Sequence, residues 1–376
     1  MEMLPNHISR VDLASCDHAD KQSRPRLYKT MEVKVEGEAE INEAATKGAI
    51  LKLHSGICEL AVEFMIGHGF DWIHTPRLTD LVIDGDNEFF SLDYFGRRGS
   101  LTQATQFHKQ MLLGMGMGLE RVFDIGPLFR AEKRLSSRHM TEFTGLEFEM
   151  TFRETYEEAI SLAESLLLYM ASSSSSSSSS SAGAAAAAPP PPRMDPFRAP
   201  QAGKVPRITF SEAKHLLQTE CGMLDAVDRE DFTPEQEAAL GQFMRESARY
   251  GKTDIFTIVN YPARMRGFWS VADPHGSGTA RAFDIILRGQ EVVSGSQHIH
   301  QYEQLGRAMV ERDPPLDPAA EIWKHYTSAF KAHKEHHMPP HAGCGVGVNR
   351  VLQGFLGLSN VRDATAFPRD AVRLAP

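Results

Sequence analysis

Apolar residues recur at intervals of three and four between Ala45 and Gly69, at Ile50, Leu53, Ile57, Leu60 and Phe64. That spacing predicts a long amphipathic helix, closed by Gly67 and Gly69. The next stretch, FDWIHTPRL, alternates with the period of a strand and stops at Pro76. EFFSLDYF and RGSLTQ predict two short strands joined by a turn at Gly96, and ATQFHKQMLLGMGMG predicts a helix. RVFDIGPLFRAE and FTGLEFEMTF read as longer strands with a charged loop between them, followed by a helix from Tyr156 to Met170. Further on, RITFSEAKHLL reads as a strand, a serine cap and a helix. DIFTIVNYP, GFWSVAD, AFDIILRGQEVVSGSQHIH and AGCGVGVNRVLQGFLG complete a second strand-rich half. Clustered short strands with helices outside them predict an α+β fold built on a largely antiparallel sheet. No internal repeat is visible.

Two segments break this pattern. Residues 1–45 are polar, charged and weakly periodic, and read as a tail or docking arm. The run SSSSSSSSSSAGAAAAAPPPP, Ser172 to Pro192, cannot bury a core and reads as low-complexity linker inserted in a surface connection. The expected organisation is therefore a tail (1–45), a first half of a core (46–170), an insertion (171–205) and a second half (206–376).

Composition narrows the class. The chain has 376 residues, 41% of them hydrophobic and 24% charged, which suits a globular protein with a sizeable core. A net charge of −9 gives no global basic footprint of the kind nucleic-acid binders carry, so any RNA contact must be a local patch. The four cysteines, Cys16, Cys58, Cys221 and Cys344, have no CxxC spacing and fit a reducing compartment. The N-terminus has no apolar signal core, and no run of 18 apolar residues occurs. The expectation is a soluble cytoplasmic protein with no membrane partner.

Three places carry candidate chemistry. Phe129 to Met150, FRAEKRLSSRHMTEFTGLEFEM, concentrates cations ahead of a strand. Arg130 and Glu132 can share one face, and the loop brings Arg138 and His139. Guanidinium groups grip phosphate oxygens bidentately, so the cluster suits a polyphosphate, with an aromatic near it to stack on a base. A solvated hairpin loop beside a core phenylalanine is the competing reading. In FDIILRGQEVVSGSQ, Asp284 and Glu291 flank Gly289 and would suit magnesium, a hard cation that prefers oxygen. Exposed strand charges are the alternative there. In GCGVGVNRVLQGFLG a glycine-rich strand end runs into an apolar helix with Arg350 near its start, which alone is a weak sign of phosphate binding. His333, His336 and His337 in AHKEHHMPPH have helical spacing, but no carboxylate or cysteine completes a metal set.

In order and spacing these stretches resemble the signature motifs of class II aminoacyl-tRNA synthetases. GFDWIHTPRL is similar to motif 1 with its proline at Pro76, GPLFRAE with RHMTEFTGLEFEM to motif 2, and GCGVGVNRV to motif 3. LTQATQFHKQ, TDIFTIVNYP, SGSQHIH, MPPHAG and TAFPRD narrow the resemblance to aspartyl-tRNA synthetases of the archaeal and eukaryotic type, from about Ala45 to Pro376 outside the insertion. The resemblance implies ATP and Mg2+ as cofactors, an amino acid as substrate, tRNA as acceptor, and a homodimer formed through motif 1. It also implies residue roles. Arg130 would hold the α-phosphate, Glu132 would sit by the adenine or the activated product, and His139 would lie on the γ-phosphate side. Phe143 and Arg350 would sandwich the adenine. Asp284, Glu291 and Ser294 would hold magnesium. Gln106, Lys109, Glu147, Ser294, His298 and Gly343 would shape the amino-acid pocket, while Gly343 and Gly347 would let the nucleotide lie against backbone.

The chain also departs from the family pattern, chiefly at the amino-acid end. His298 stands where an aspartyl enzyme has an arginine that pairs with the substrate's side-chain carboxylate. Glu147 stands for an aspartate, Asn349 for a glutamate, QATQ for QSPQ, and VIDGDNEFF for the loop that closes over the amino acid. The residues ahead of the core are too few for an anticodon-reading OB-fold, which implies either a truncated chain or one that does not read an anticodon. The leading expectation is an aspartate–tRNA ligase. The alternatives are an adenylate-forming paralogue with a non-tRNA or small-molecule acceptor, and a catalytically silent regulatory paralogue.

Overall fold

The computed structural model describes residues 43–81, 89–133, 135–175, 196–226, 231–273, 276–331 and 338–375. The tail, most of the insertion, most of VIDGDNEFF and the histidines at 333, 336 and 337 lie outside the described residues.

The predicted first helix is α1 (Glu43–Gly67). Ile50, Ile57 and Phe64 are buried as the period requires, whereas Leu53 is 37% exposed. The chain then forms β1 (Asp71–Trp72), β2 (Leu78–Thr79), β3 (Ser91–Tyr94), β4 (Arg97–Leu101) and α2 (Gln106–Gly114). FDWIHTPRL is therefore not one strand but two fragments in different sheets. Side chains between them turn inward: Arg77 donates to both oxygens of Asp124 at 2.8 and 3.0 Å, and Thr75 donates to the same carboxylate. Pro76 between them can supply no ladder hydrogen.

The long strands β5 (Arg121–Phe129) and β6 (Glu142–Thr151) match their prediction, and α3 (Glu157–Ser175) runs five residues past Met170. After the insertion come β7 (Arg207–Thr209), α4 (Phe210–Thr219), α5 (Pro234–Glu246) and β8 (Ile255–Val259). Phe197 and Val205, counted within the insertion by composition, pack into the main core. Helices α4 and α5 both start with a capping box, at Thr209/Glu212 and Thr233/Gln236. The serine expected as the α4 cap lies inside the helix, because Thr209 takes that role. The chain ends with β9 (Ala282–Leu287), β10 (Gln290–His298), α6 (Tyr302–Glu311), α7 (Glu321–Ser328), β11 (His341–Gly347) and α8 (Val348–Leu356). GFWSVAD forms no strand. Ser270 and Ala272 make only isolated bridges, to His298 and Ala280.

Eight strands form one sheet in the order β1-β5-β6-β11-β10-β9-β8-β7, and β2-β4-β3 form a small second sheet. Only the edge pairs β1–β5 and β7–β8 are parallel. The fold is α+β with a mostly antiparallel sheet, as predicted. One sheet face is sealed by α1, α3 and α8 over Leu146, Phe148, Met150, Cys344 and Val346. A second cluster packs α4 and α5 on β8 and β9, and a third gathers around Phe107, Trp323 and Tyr326.

Period-two alternation decides what faces the other way. Leu146, Phe148 and Met150 of β6 go to the core, so Glu147 and Glu149 point away from it. Ala342, Cys344 and Val346 of β11 do likewise, leaving His341, Gly343, Gly345 and Gly347 on the face of the two glutamates. Register then lays out rows: Glu149–Gly343–Ser296, Glu147–Gly345–Ser294, and Thr151–His341–His298.

Candidate active site

A cleft of about 1010 Å³ opens over these rows. Among the described residues, every one to which the resemblance gives a role lines it except Asp284. Arg130 leaves the end of β5 and Phe143 begins β6 beside it, with the guanidinium 5.5 Å from the ring centroid. Arg350, on the first turn of α8, enters from the opposite side. Its Nη1 donates to the Glu291 carbonyl at 3.2 Å and carboxylate at 3.4 Å, and its Nε donates to the Arg138 carbonyl at 3.2 Å. Glu132 and His139 complete this end. His139 shares a 2.6 Å hydrogen bond between Nδ1 and Ser136 Oγ. Burial, helped by the Arg350 charge, pushes its imidazole below the usual value, so the neutral form is favoured.

Glu291 reaches the cleft because of an irregularity. Between Glu291 and Val293 the β9–β10 register shifts, so Glu291 pairs with Ile286 while Val293 pairs with Ile285. This bulge lets an odd-numbered residue join Ser294, Ser296 and His298 in lining the cleft. Burial and the neighbouring Asp284 push the Glu291 carboxyl up.

The residues expected to hold magnesium meet an internal partner here. Arg266 donates from Nη1 and Nη2 to both oxygens of Asp284, at 3.1 and 2.6 Å, and from Nη1 to Ser294 Oγ at 3.0 Å. Its guanidinium also lies 3.7 Å from the Tyr261 ring centroid. Asp284 and Ser294 are thus held by an internal cation, while Ser294 and Glu291 line the cleft.

At the amino-acid end, Lys109 is 1% exposed and is matched by Glu147 at 3.0 Å. Thr105 donates to the same carboxylate from its backbone N at 2.6 Å and its Oγ1 at 2.5 Å. Burial works against the Glu147 charge, but Lys109 and Thr105 outweigh it and hold the carboxyl below the usual range. Gln106 also lines the cleft, and its buried Nε2 has no partner among the described residues. His298 does not stand free: its Nδ1 lies 2.7 Å from Glu149 Oε1. Gly343 is required where it stands, since a Cβ there would strike the Phe148 carbonyl and the Glu149 carboxylate. At Gly347 a Cβ would make only ordinary contacts with Arg350. Asn349 faces inward, accepting from Thr144 N at 2.8 Å and donating to the Ala364 carbonyl at 3.2 Å.

Sequence reasoning missed Arg266, Glu149, His341 and the tether at Arg138. The tether joins the loop after β5 to the rest of the sheet: Arg138 pairs with Glu237 at 2.6 Å and donates to the Gly289 carbonyl at 2.8 Å. Burial and the nearby Glu291 push the Glu237 carboxyl up to about 7. The β6 alternation could have singled out Glu149. Nothing in the spacing of Arg266 or Glu237 announces their partners.

An open antiparallel sheet, with two arginines and an aromatic converging on a glycine-floored cleft, defines a catalytic domain of the class II synthetase type. Residues 40–371 match the family of class II tRNA synthetases (D, K and N). The chain is 33% identical over 329 residues to a cytoplasmic aspartate–tRNA ligase of Dictyostelium discoideum, covering 87% of this chain and 54% of that protein. It is 31% identical over 367 residues to the human cytoplasmic aspartate–tRNA ligase, covering 98% of this chain and 69% of the relative. The solved aspartyl-tRNA synthetase of Entamoeba histolytica superposes with a TM-score of 0.69 at 27% identity, over 94% of this chain and 66% of that one. The chain belongs to the class II tRNA synthetases (D, K and N). It spans about half the length of the Dictyostelium relative and about two thirds of the other two.

Proposed function

We propose that the chain activates an amino acid, aspartate foremost, with ATP as an acyl adenylate and transfers the acyl group to tRNA. The convergence of Arg130 and Arg350 on one cleft, with Phe143 beside Arg130, carries this reading. The substrate carboxylate attacks the α-phosphorus in line. A carboxylate–phosphorus bond forms, the α–β bridge breaks, and pyrophosphate departs with the electron pair. Arg130 stabilises the charge that develops on the α-phosphoryl oxygens, and Phe143 and Arg350 hold the base between them. Gly343 and Gly345 let the reacting groups approach backbone. Magnesium would arrive with the triphosphate and neutralise its charge, and Glu291 would be a carboxylate ligand for it. The names of the relatives favour a cytoplasmic site of action, and no described helix is long and apolar enough to cross a membrane.

Amino-acid-dependent exchange of labelled pyrophosphate into ATP, followed by charging of transcript tRNA, tests this. Exchange with aspartate and charging support it; absence of exchange with any amino acid overturns it. Exchange without charging would support the second reading, a non-tRNA acceptor. A homodimer through α1 and β1 belongs to the same proposal. Leu53, Ile66 and Trp72 are 37%, 55% and 43% exposed there, an apolar surface suited to a second copy. Sedimentation showing only monomer at micromolar concentration would count against it.

A further inference from the structure

The floor of the cleft has an arrangement that the adenylation chemistry does not use. Glu149, His298 and His341 are all buried, and one ligand atom from each lies within 4.8 Å of the other two. They come from adjacent strands β6, β10 and β11, so the sheet itself holds them. Glu149 and His298 line the cleft and His341 lies behind them, fully buried.

We propose that these three side chains bind a zinc ion whose open position faces the cleft and takes a carboxylate, in the family's case the substrate's side chain. This rests on the adenylation reading only for the identity of that carboxylate. Two histidines and a carboxylate with one vacant position form a ligand set that zinc favours. The second shell agrees. His341 Nδ1 donates to the Pro339 carbonyl at 2.8 Å, which leaves the lone pair on Nε2. Gln110 donates to Nε2 at 3.2 Å, a long bond that the ion would replace, while Tyr326 holds the Gln110 oxygen at 2.8 Å.

Charge balance supplies the second argument. A substrate carboxylate needs a cation, and Lys109 is already matched by Glu147. His298 is already hydrogen-bonded to Glu149. A divalent ion entering between His298 and Glu149 takes the place of the proton they share, which leaves to solvent, and restores positive charge at this end. Edges of a tetrahedral site at zinc–ligand distances near 2.0–2.1 Å are about 3.3 Å, so His298 and Glu149, now 2.7 Å apart, open slightly on binding while His341 draws in toward them.

The test uses the full chain expressed with zinc in the medium and purified without chelator. Elemental analysis should find about one zinc per chain, reduced at least fivefold in His298→Ala and Glu149→Gln, with folding checked by circular dichroism. Replacement by Co2+ should give the visible bands of tetrahedral cobalt, and these should shift on adding aspartate but not asparagine, without ATP. Wild-type chain with less than a tenth of an equivalent of zinc and no cobalt bands overturns the site. Cobalt bands indifferent to aspartate overturn the carboxylate role. Metal binding without exchange for any amino acid would sink the adenylation reading and leave the site standing.

Discussion

Arg266 grips both carboxylate oxygens of Asp284 and the hydroxyl of Ser294 while its guanidinium rests on the Tyr261 ring. Burial opposes the cation, but Asp284 outweighs it, so the group stays protonated throughout the accessible pH range. Arg266→Ala strands a buried carboxylate and should cost about 3–5 kcal/mol of stability. Thermal unfolding would measure it. Unchanged melting would show that Asp284 had found another partner.

Arg130 is predicted to act on the transition state. Arg130→Ala should lower the rate of pyrophosphate exchange about 10²–10³-fold, the range for removing one preorganised donor. Arg350→Ala should raise the KM for ATP as well, because this side chain also braces the Arg138 and Glu291 carbonyls. Equal effects of both variants on kcat alone would contradict these separate roles.

Lys109 and Glu147 form a buried pair, so removing one member should be worse than removing both. Lys109→Met leaves Glu147 uncompensated and should cost about 3–5 kcal/mol, of which Lys109→Met/Glu147→Gln recovers a part. Denaturant unfolding of the full double-mutant cycle would measure the coupling. Additive effects would argue that Thr105 alone satisfies the carboxylate.

Gly343→Ala should be destabilised by about 1–3 kcal/mol, since the added methyl meets the Phe148 carbonyl and the Glu149 carboxylate. Gly347→Ala should be milder, because its added Cβ makes only ordinary contacts. Equal losses would mean that the strand shifts to absorb either methyl.

Two groups set opposite pH slopes. His341 falls from 6.5 to about 4 on folding, so the unfolded chain binds the proton more readily. Its share of stability is present above pH 6.5 and is lost as pH falls toward 4. Glu237 rises from 4.5 to about 7, so its share is present below pH 4.5 and is lost as pH rises through 7. His341→Gln should flatten the acid limb and Glu237→Gln the neutral one, in unfolding free energies measured from pH 4 to 8. A limb left unchanged by its variant would rule out that group as the cause.

The hydrophobic pattern was enough for the elements that bury one face. The α1 stripe, the alternation of β5 and β6, and the apolar helix after the glycine-rich strand are local signals, because burial on one side writes a period of 3.6 or 2 into the chain. The motif residues Arg130, Phe143, Glu291 and Arg350 were also legible as a candidate nucleotide site. Their convergence was not, since it depends on cross-strand register, on the bulge at Val292 and on the approach of α8.

What the sequence by itself determined was the fold class, the main strands and helices, and which residues were available to hold a triphosphate. Only the tertiary structure decided which charges were spoken for. Arg266 lies 18 residues from Asp284, and His298 lies 149 residues from Glu149. Such pairs leave no period in the chain, because electrostatic matching depends on distance in space. A carboxylate that reads as a metal ligand can thus fold onto an arginine, while a histidine that reads as a lost arginine joins a glutamate and a second histidine.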